Sequence, residues 1–361
     1  MTASRFVDWG LAERVALALG GNDRAPGPFD QKALDAACAE AVALALDYSR
    51  MRPAGELPRP ELVDRAEWAR LGLRTLRELS VELERQIADG LSLPGPLGSI
   101  ARTLAGTAAG AEAGIAVGYG ARKVLGQYDV SLGSTERQPR LVFVGANLAA
   151  AHSELGEDPG LFLRWIAVHE STHSIQFASV PWLAPHLKEL LEELIGAASS
   201  RLDPGFLRGL ARRLFRSDPR AAIRTILRGD LARLLTGPDQ RRTLDRLQAS
   251  MSVIEGHAEH VMDAASRKLD PGYARLRTRL DARRANRGGL GEVIARMLGL
   301  ELKLRQYMLG KGFCDAVVEA AGIEGLNRVW RAPEALPTLA ELGRPADWLA
   351  RTGAESPAQA A

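Results

Sequence analysis

The chain has 361 residues, of which 46% are hydrophobic and 25% are charged, and its formal net charge is +3 at pH 7. These proportions are typical of a globular protein with a large core, and so small a net charge does not favour a nucleic-acid-binding function. Acidic residues interrupt the apolar N-terminal stretch, which argues against a signal peptide and favours a cytoplasmic location.

Helical periodicity dominates the chain, so the sequence predicts a mainly α fold. Only residues 140–148, with the apolar β-rich run at 141–144, predict a strand. The predicted helices cover approximately residues 9–19, 32–48, 60–88, 99–125, 161–177, 185–199, 205–216, 219–235, 238–265, 272–284, 290–308 and 312–321.

Two regions could also indicate a membrane span or a surface that binds nucleic acid or an anionic membrane. Glycine recurs at every fourth position in "GTAAGAEAGIAVG", which predicts a helix with one smooth face for close packing. Glu112 lies near the middle of this segment and would cost about 2.5–3.5 kcal/mol in lipid, so we expect no membrane span. Residues 201–246 are rich in arginine, but acidic residues are interspersed among the arginines, and the segment lacks a set of aromatic side chains on which nucleic-acid bases could stack. We expect a solvated helix face there.

The two cysteines, Cys38 and Cys314, lie far apart in predicted helices and form no CxxC pair. This pattern indicates buried free thiols in a reducing compartment.

The segment "WIAVHESTHSIQF", residues 165–177, places two histidines and a glutamate in an apolar helix. His169 and His173 are four positions apart, so one turn of helix stacks both imidazoles on one face, within reach of one ion. Glu170 projects about 100° away, beside the ion, where it can accept a proton from water. Two core histidines satisfied by packing are the alternative, but burying them without partners is costly.

A catalytic zinc takes three protein ligands and leaves the fourth position for water. Ser179 stands six residues after His173, where a metzincin has its third histidine, so that class is excluded. Glu193, twenty residues after His173, is the thermolysin-like alternative. We favour Glu255 in "MSVIEGHAEHVMD", because Glu259 follows one turn later and could hold a histidine ligand through its second N–H.

Three further residues are candidates for the cleft. Tyr307, His257 and His260 could each stabilise an oxyanion, although Tyr307 could equally be a core residue with a bonded hydroxyl. His257 lies on a different helix face from Glu255, and we expect it to line the cleft or cap a neighbouring helix. By analogy with many zincins, the predicted strand at 140–148 would be an edge strand that an extended peptide could join.

Six blocks, in order, carry a family resemblance: "VDWGLAERVA", "GQYD", "HESTHSIQF", "IEGHAEHVMD", "LGLELKLRQYMLGKGF" and "NRVWRAPEALPTLAELGRPADWLAR". They resemble the zincin-like metallopeptidase type 2 family, whose members are often labelled hydrolases and in some cases associated with deazaflavin-cofactor biosynthesis. The resemblance implies a mainly helical zincin fold with the metal between two helices. It carries over His169, Glu170, His173 and Glu255 as site residues, and it brings no defined substrate.

We therefore predict a zinc-dependent hydrolase, a metallopeptidase that acts on peptide or amide bonds with Glu170 as general base. The alternatives are an inactive zinc-binding scaffold of the same fold and an arginine-rich helical protein associated with nucleic acid or a membrane. The expected organisation is one zincin-like domain over residues 1–361, divisible into a helical subdomain (1–130) and a metal-site region (131–351). Residues 352–361 are expected to form a flexible tail.

Overall fold

The structure is a computed structural model, and it describes residues 6–21, 28–90, 96–132, 137–199, 238–266, 272–273, 275–279 and 305–353. Most of the arginine-rich run and the helices predicted at 205–216 and 219–235 lie outside these residues, as does most of the segment predicted at 290–308. The division into subdomains stays a prediction.

Nine long helices account for most of the described chain, which confirms the predicted mainly α fold. They are α1 (Trp9–Gly20), α2 (Gln31–Ser49), α3 (Arg65–Gly90), α4 (Pro96–Ala121), α5 (Gly145–Leu155), α6 (Pro159–Ser179), α7 (Leu183–Ser199), α8 (Pro238–Ser266) and α9 (Arg305–Leu326). Two 3-10 turns, Asn327–Trp330 and Pro333–Ala335, and two short helices, Leu339–Leu342 and Pro345–Thr352, follow α9.

A small sheet of three strands lies beside these helices, in the order β1 (Pro60–Val63), β3 (Arg140–Val144), β2 (Gly126–Asp129). β1 runs parallel to β3 and β2 runs antiparallel to it. The central strand β3 is almost wholly buried, as its run of apolar residues predicted.

The sheet corrects three sequence predictions. Residues 60–63 form an edge strand and not the start of a helix, and Pro60 is tolerated as its first residue because an edge strand can lack one ladder hydrogen bond. The strand predicted at 140–148 ends at Val144, and residues 145–148 already belong to α5. Because β3 pairs on both sides, it is not the edge strand that we expected to accept a peptide.

The glycine face of α4, formed by Gly106, Gly110, Gly114 and Gly118, packs against α1 and the residues just before it, as the spacing of four residues predicted. A Cβ atom on Gly114 would lie 2.5 Å from the carbonyl oxygen of Ala12, so only glycine permits this approach of α4 to α1. No helix in the described ranges has the length and apolar character that a membrane crossing requires.

Helices α2 and α8 pack against α6, which carries the HExxH segment, residues 169–173. Their apolar side chains join two buried clusters, one with Trp165 and Phe162 and the other with Ile175 and Ile254. A rigid, close-packed interior therefore fixes the faces of α6 and α8 that meet.

Candidate metal centre

Helix α6 carries the HExxH segment, and its start is defined by local sequence. The side chain of Asp158 caps the helix by accepting a hydrogen bond from the Leu161 N–H at 2.7 Å, and Pro159 occupies the first turn. The helix continues without interruption to Ser179, so His169 and His173 lie one turn apart on the same face. This local arrangement follows directly from the sequence.

The structure brings His169, His173 and Glu255 together across the contact between α6 and α8. The Nε2 atoms of the two histidines are 3.3 Å apart. Glu255 Oε2 lies 3.5 Å from His169 Nε2 and 3.6 Å from His173 Nε2. Ligands at ~2.0–2.1 Å from a tetrahedral zinc stand about 3.3–3.4 Å from one another. The three donor atoms therefore have the spacing and chemical type that fit one small tetrahedral cation, and they are the only such cluster among the described residues.

The three groups are strongly coupled electrostatically. Burial acts to raise the pKa of Glu255, but His173 and His169 outweigh it and hold that pKa well below its usual range. Burial acts to lower the pKa of His173, but Glu255 outweighs it and raises the pKa to about 9. Glu255 and His173 thus favour each other's charged forms, and a cation held by them would take the place of the positive charge on the imidazole.

Glu170 lies beside this cluster and against the sheet. Its side chain is largely buried, and its negative charge contributes to the raised pKa of His173. Gly126 of β2 lies directly against it, since a Cβ atom there would be 2.6 Å from Glu170 Cγ and 3.2 Å from Oε1. The bare backbone of β2 therefore makes the space that the carboxylate occupies, a role that sequence reasoning missed because the contact is long-range.

Gln176 is a second residue that sequence reasoning missed. Its Oε1 lies 2.9 Å from His173 Nδ1, and its Nε2 lies 2.9 Å from the Ile254 carbonyl oxygen and 3.0 Å from His257 Nδ1. It follows His173 by three positions, so the helical repeat could have placed both side chains on one face.

The structure separates Glu193 from this cluster. Glu193 Oε1 accepts a hydrogen bond from the Thr243 hydroxyl at 2.6 Å, and Oε2 lies 4.0 Å from an Arg246 nitrogen. The side chain is about half exposed, as expected of an acidic helix face. Of the two carboxylates considered, only Glu255 lies with the histidines.

Glu259 is engaged by an arginine. Its Oε2 lies 3.2 Å from an Arg277 nitrogen, and Arg277 also binds Asp263 at 2.5 Å. For His173, the N–H partner that we sought in Glu259 is Gln176. His169 Nδ1 is a buried nitrogen with no hydrogen-bond partner among the described residues, so Glu259 does not bond that ring in this structure either.

Of the remaining candidates, His257 and His260 are buried among other side chains. His257 is completely buried, with its ring edge-to-face against Trp330 at 5.3 Å, so the expectation that it lines the cleft is wrong. His260 has both ring nitrogens engaged, Nε2 by the Tyr48 hydroxyl and Nδ1 by Asp315, each at 2.6 Å. The side chain of Tyr307 lies outside the described residues.

A mainly helical chain that sets the histidines of an HExxH helix against a glutamate of a second helix has the arrangement of a zincin. A family model for zincin-like metallopeptidases matches residues 7–349, and the chain belongs to that family. The fold is also similar to a solved structure from Chloroflexus aurantiacus, provisionally described as a hydrolase with a novel fold, with a TM-score of 0.71 and 30% sequence identity. That similarity covers 97% of this chain and 100% of the other. Among curated proteins, none matches this sequence.

Proposed function

We propose that the protein is a zinc-dependent hydrolase that cleaves peptide or amide bonds, with His169, His173 and Glu255 as the metal ligands and Glu170 as the general base. The observation that carries this proposal is the spacing of the three donor atoms, 3.3–3.6 Å, which suits one tetrahedral ion. Membership of the zincin-like metallopeptidase family and the likeness to a provisionally described hydrolase support it.

Zinc held by these three residues would activate a water molecule near neutral pH and polarise the scissile carbonyl group. Glu170 takes the proton from the attacking water and delivers it to the leaving amine nitrogen. Its position between the two histidines in sequence, but against β2 in space, suits this role because the carboxylate is adjacent to the ligands.

The sheet suggests how a substrate is held. β2 is an edge strand of the described sheet and lies against Glu170 through Gly126. An extended peptide that pairs with the outer edge of β2 would run past Glu170, with its backbone held by hydrogen bonds. Such binding favours a peptide or another amide in an extended conformation as substrate.

The test combines elemental analysis of the purified protein with cleavage of a peptide library, with and without a chelator. We expect one zinc per chain and chelator-sensitive cleavage. Glu170→Gln keeps the shape of the side chain but removes the base, so it should retain zinc and lose about 10²–10⁴-fold in hydrolysis rate. Equal rates for wild type and Glu170→Gln would contradict the mechanism.

The same experiment separates the two alternatives from the enzyme. A zinc-loaded wild-type protein that cleaves no peptide or amide would favour an inactive zinc-binding scaffold. A protein that binds no zinc would return the histidines to a structural role and remove the basis of the proposal.

A further inference from the structure

The amide of Gln176 joins two histidines, and its orientation can be assigned without ambiguity. A carbonyl oxygen can only accept hydrogen bonds, so the amide atom 2.9 Å from the Ile254 carbonyl must be the NH₂ group. The other amide atom, the acceptor Oε1, therefore faces His173 Nδ1 at 2.9 Å. The backbone of α8 in this way decides which end of the amide meets the α6 histidine.

This orientation determines the tautomer of His173. Because Gln176 Oε1 has only lone pairs to offer, Nδ1 of His173 must carry the hydrogen and donate it. In the neutral ring Nε2 then holds the lone pair, and Nε2 is the atom that faces His169 and Glu255. The opposite tautomer would set two lone pairs against each other at 2.9 Å and would leave Nε2 without a lone pair for a metal.

The second N–H of the amide is directed to His257. Gln176 Nε2 lies 3.0 Å from His257 Nδ1. Because the amide nitrogen donates, His257 Nδ1 must accept, and the hydrogen of the neutral His257 ring therefore lies on Nε2. His257 is fully buried, where an uncharged ring that accepts at Nδ1 avoids the cost of burying a charge. Edge-to-face packing on Trp330 holds the ring in place.

We propose that Gln176 is a positioning residue that, supported by the Ile254 carbonyl and by His257, holds His173 in the tautomer and orientation needed for metal binding through Nε2. The proposal rests on the proposed function only in taking His173 as a metal ligand. It goes beyond the four proposed site residues, because it assigns a purpose to a buried amide and to a buried histidine that lie outside the cluster of donor atoms.

The test uses a matched pair of variants at one position. Gln176→Glu retains an acceptor oxygen for His173 Nδ1 but loses the N–H groups that bond the Ile254 carbonyl and His257 Nδ1, whereas Gln176→Leu retains the approximate size and removes the acceptor as well. We expect zinc affinity, measured by competition with a chromophoric chelator, to fall about 10–100-fold in Gln176→Leu and by a smaller factor in Gln176→Glu. Gln240→Leu, the same change at a buried glutamine on a different helix, α8, should leave zinc affinity unchanged.

The second measurement reads the His257 tautomer directly and needs no zinc. Proton–nitrogen correlation spectra of the metal-free, histidine-labelled protein should show His257 neutral with its hydrogen on Nε2. In Gln176→Leu this single tautomer should be lost, because the donor to Nδ1 is gone. Observation of His257 with its hydrogen on Nδ1 in the wild-type protein would overturn the assignment.

The outcomes separate this inference from the proposed function. Wild-type zinc affinity in Gln176→Leu would refute the positioning role and leave the zinc site intact. Absence of zinc binding in the wild type would refute the proposed function, and the metal-free spectra would then decide the assignment of the Gln176 network alone.

Discussion

Gly126→Ala should impair hydrolysis without removing the metal, because the added methyl group competes with Glu170 for space. The new Cβ atom would lie 2.6 Å from Glu170 Cγ and 3.0 Å from Cδ. Ordinary contacts of a Cβ atom begin near 3.4 Å, so either the carboxylate or β2 must move by nearly 1 Å. Misplacement of a reacting group by about 1 Å costs on the order of 10²-fold in rate, which corresponds to about 2.7 kcal/mol.

The assay compares the rate of peptide cleavage with zinc content and thermal stability. We expect a rate about 100-fold lower in Gly126→Ala, one zinc per chain, and a loss of about 1–3 kcal/mol in unfolding free energy from overpacking. Gly72→Ala is the control, since a Cβ atom there would make only ordinary contacts, the nearest at 3.6 Å to Val117. It should keep full activity.

A double variant tests whether the effect passes through the carboxylate. In a Glu170→Gln background, Gly126→Ala should cause little additional loss of rate, because the group that it displaces no longer acts as a base. Full activity of Gly126→Ala would show that β2 accommodates the methyl group and would refute the reasoning. Loss of zinc in this variant would equally refute it, because the structure places Gly126 against the base.

Three other predictions concern the metal and the thiols. Glu255→Gln should weaken zinc binding strongly in a zinc titration, whereas Glu193→Gln should leave it nearly unchanged; the reverse would move the site to α7. Because the pKa of His173 is raised from 6.5 to about 9, zinc must displace its proton, and apparent zinc affinity should rise about tenfold per pH unit from 6.5 towards 9 and then level off. Calorimetry in buffers of different ionisation enthalpy would measure the released proton. The buried thiols Cys38 and Cys314 have raised pKa values, that of Cys38 about 12, so alkylation at pH 8 should modify them only after unfolding; fast modification of the folded chain would contradict their burial.

Much of this protein could be predicted from the sequence because the relevant signals are local. The helical repeat places His169 and His173 on one face whatever the rest of the chain does, and the fourfold glycine spacing makes α4 suitable for a close neighbour. The buried strand β3 was likewise visible as an apolar β-rich run. The short edge strands were not, because Pro60–Val63 and Gly126–Asp129 form strands only through pairing with β3.

The choice among distant residues was made by tertiary packing. Sequence spacing left both Glu193 and Glu255 as candidates, since each could be brought to the histidines by some path of the chain. The packing of α8 on α6 brings Glu255 to the histidines, while Glu193 bonds Thr243. Gly126 and Glu170 are separated by more than forty residues, and no periodicity links them. Local chemistry therefore determined which side chains could hold a metal, whereas only the long-range contacts of β2 and α8 decided which carboxylate joins the histidines and what lies against the base.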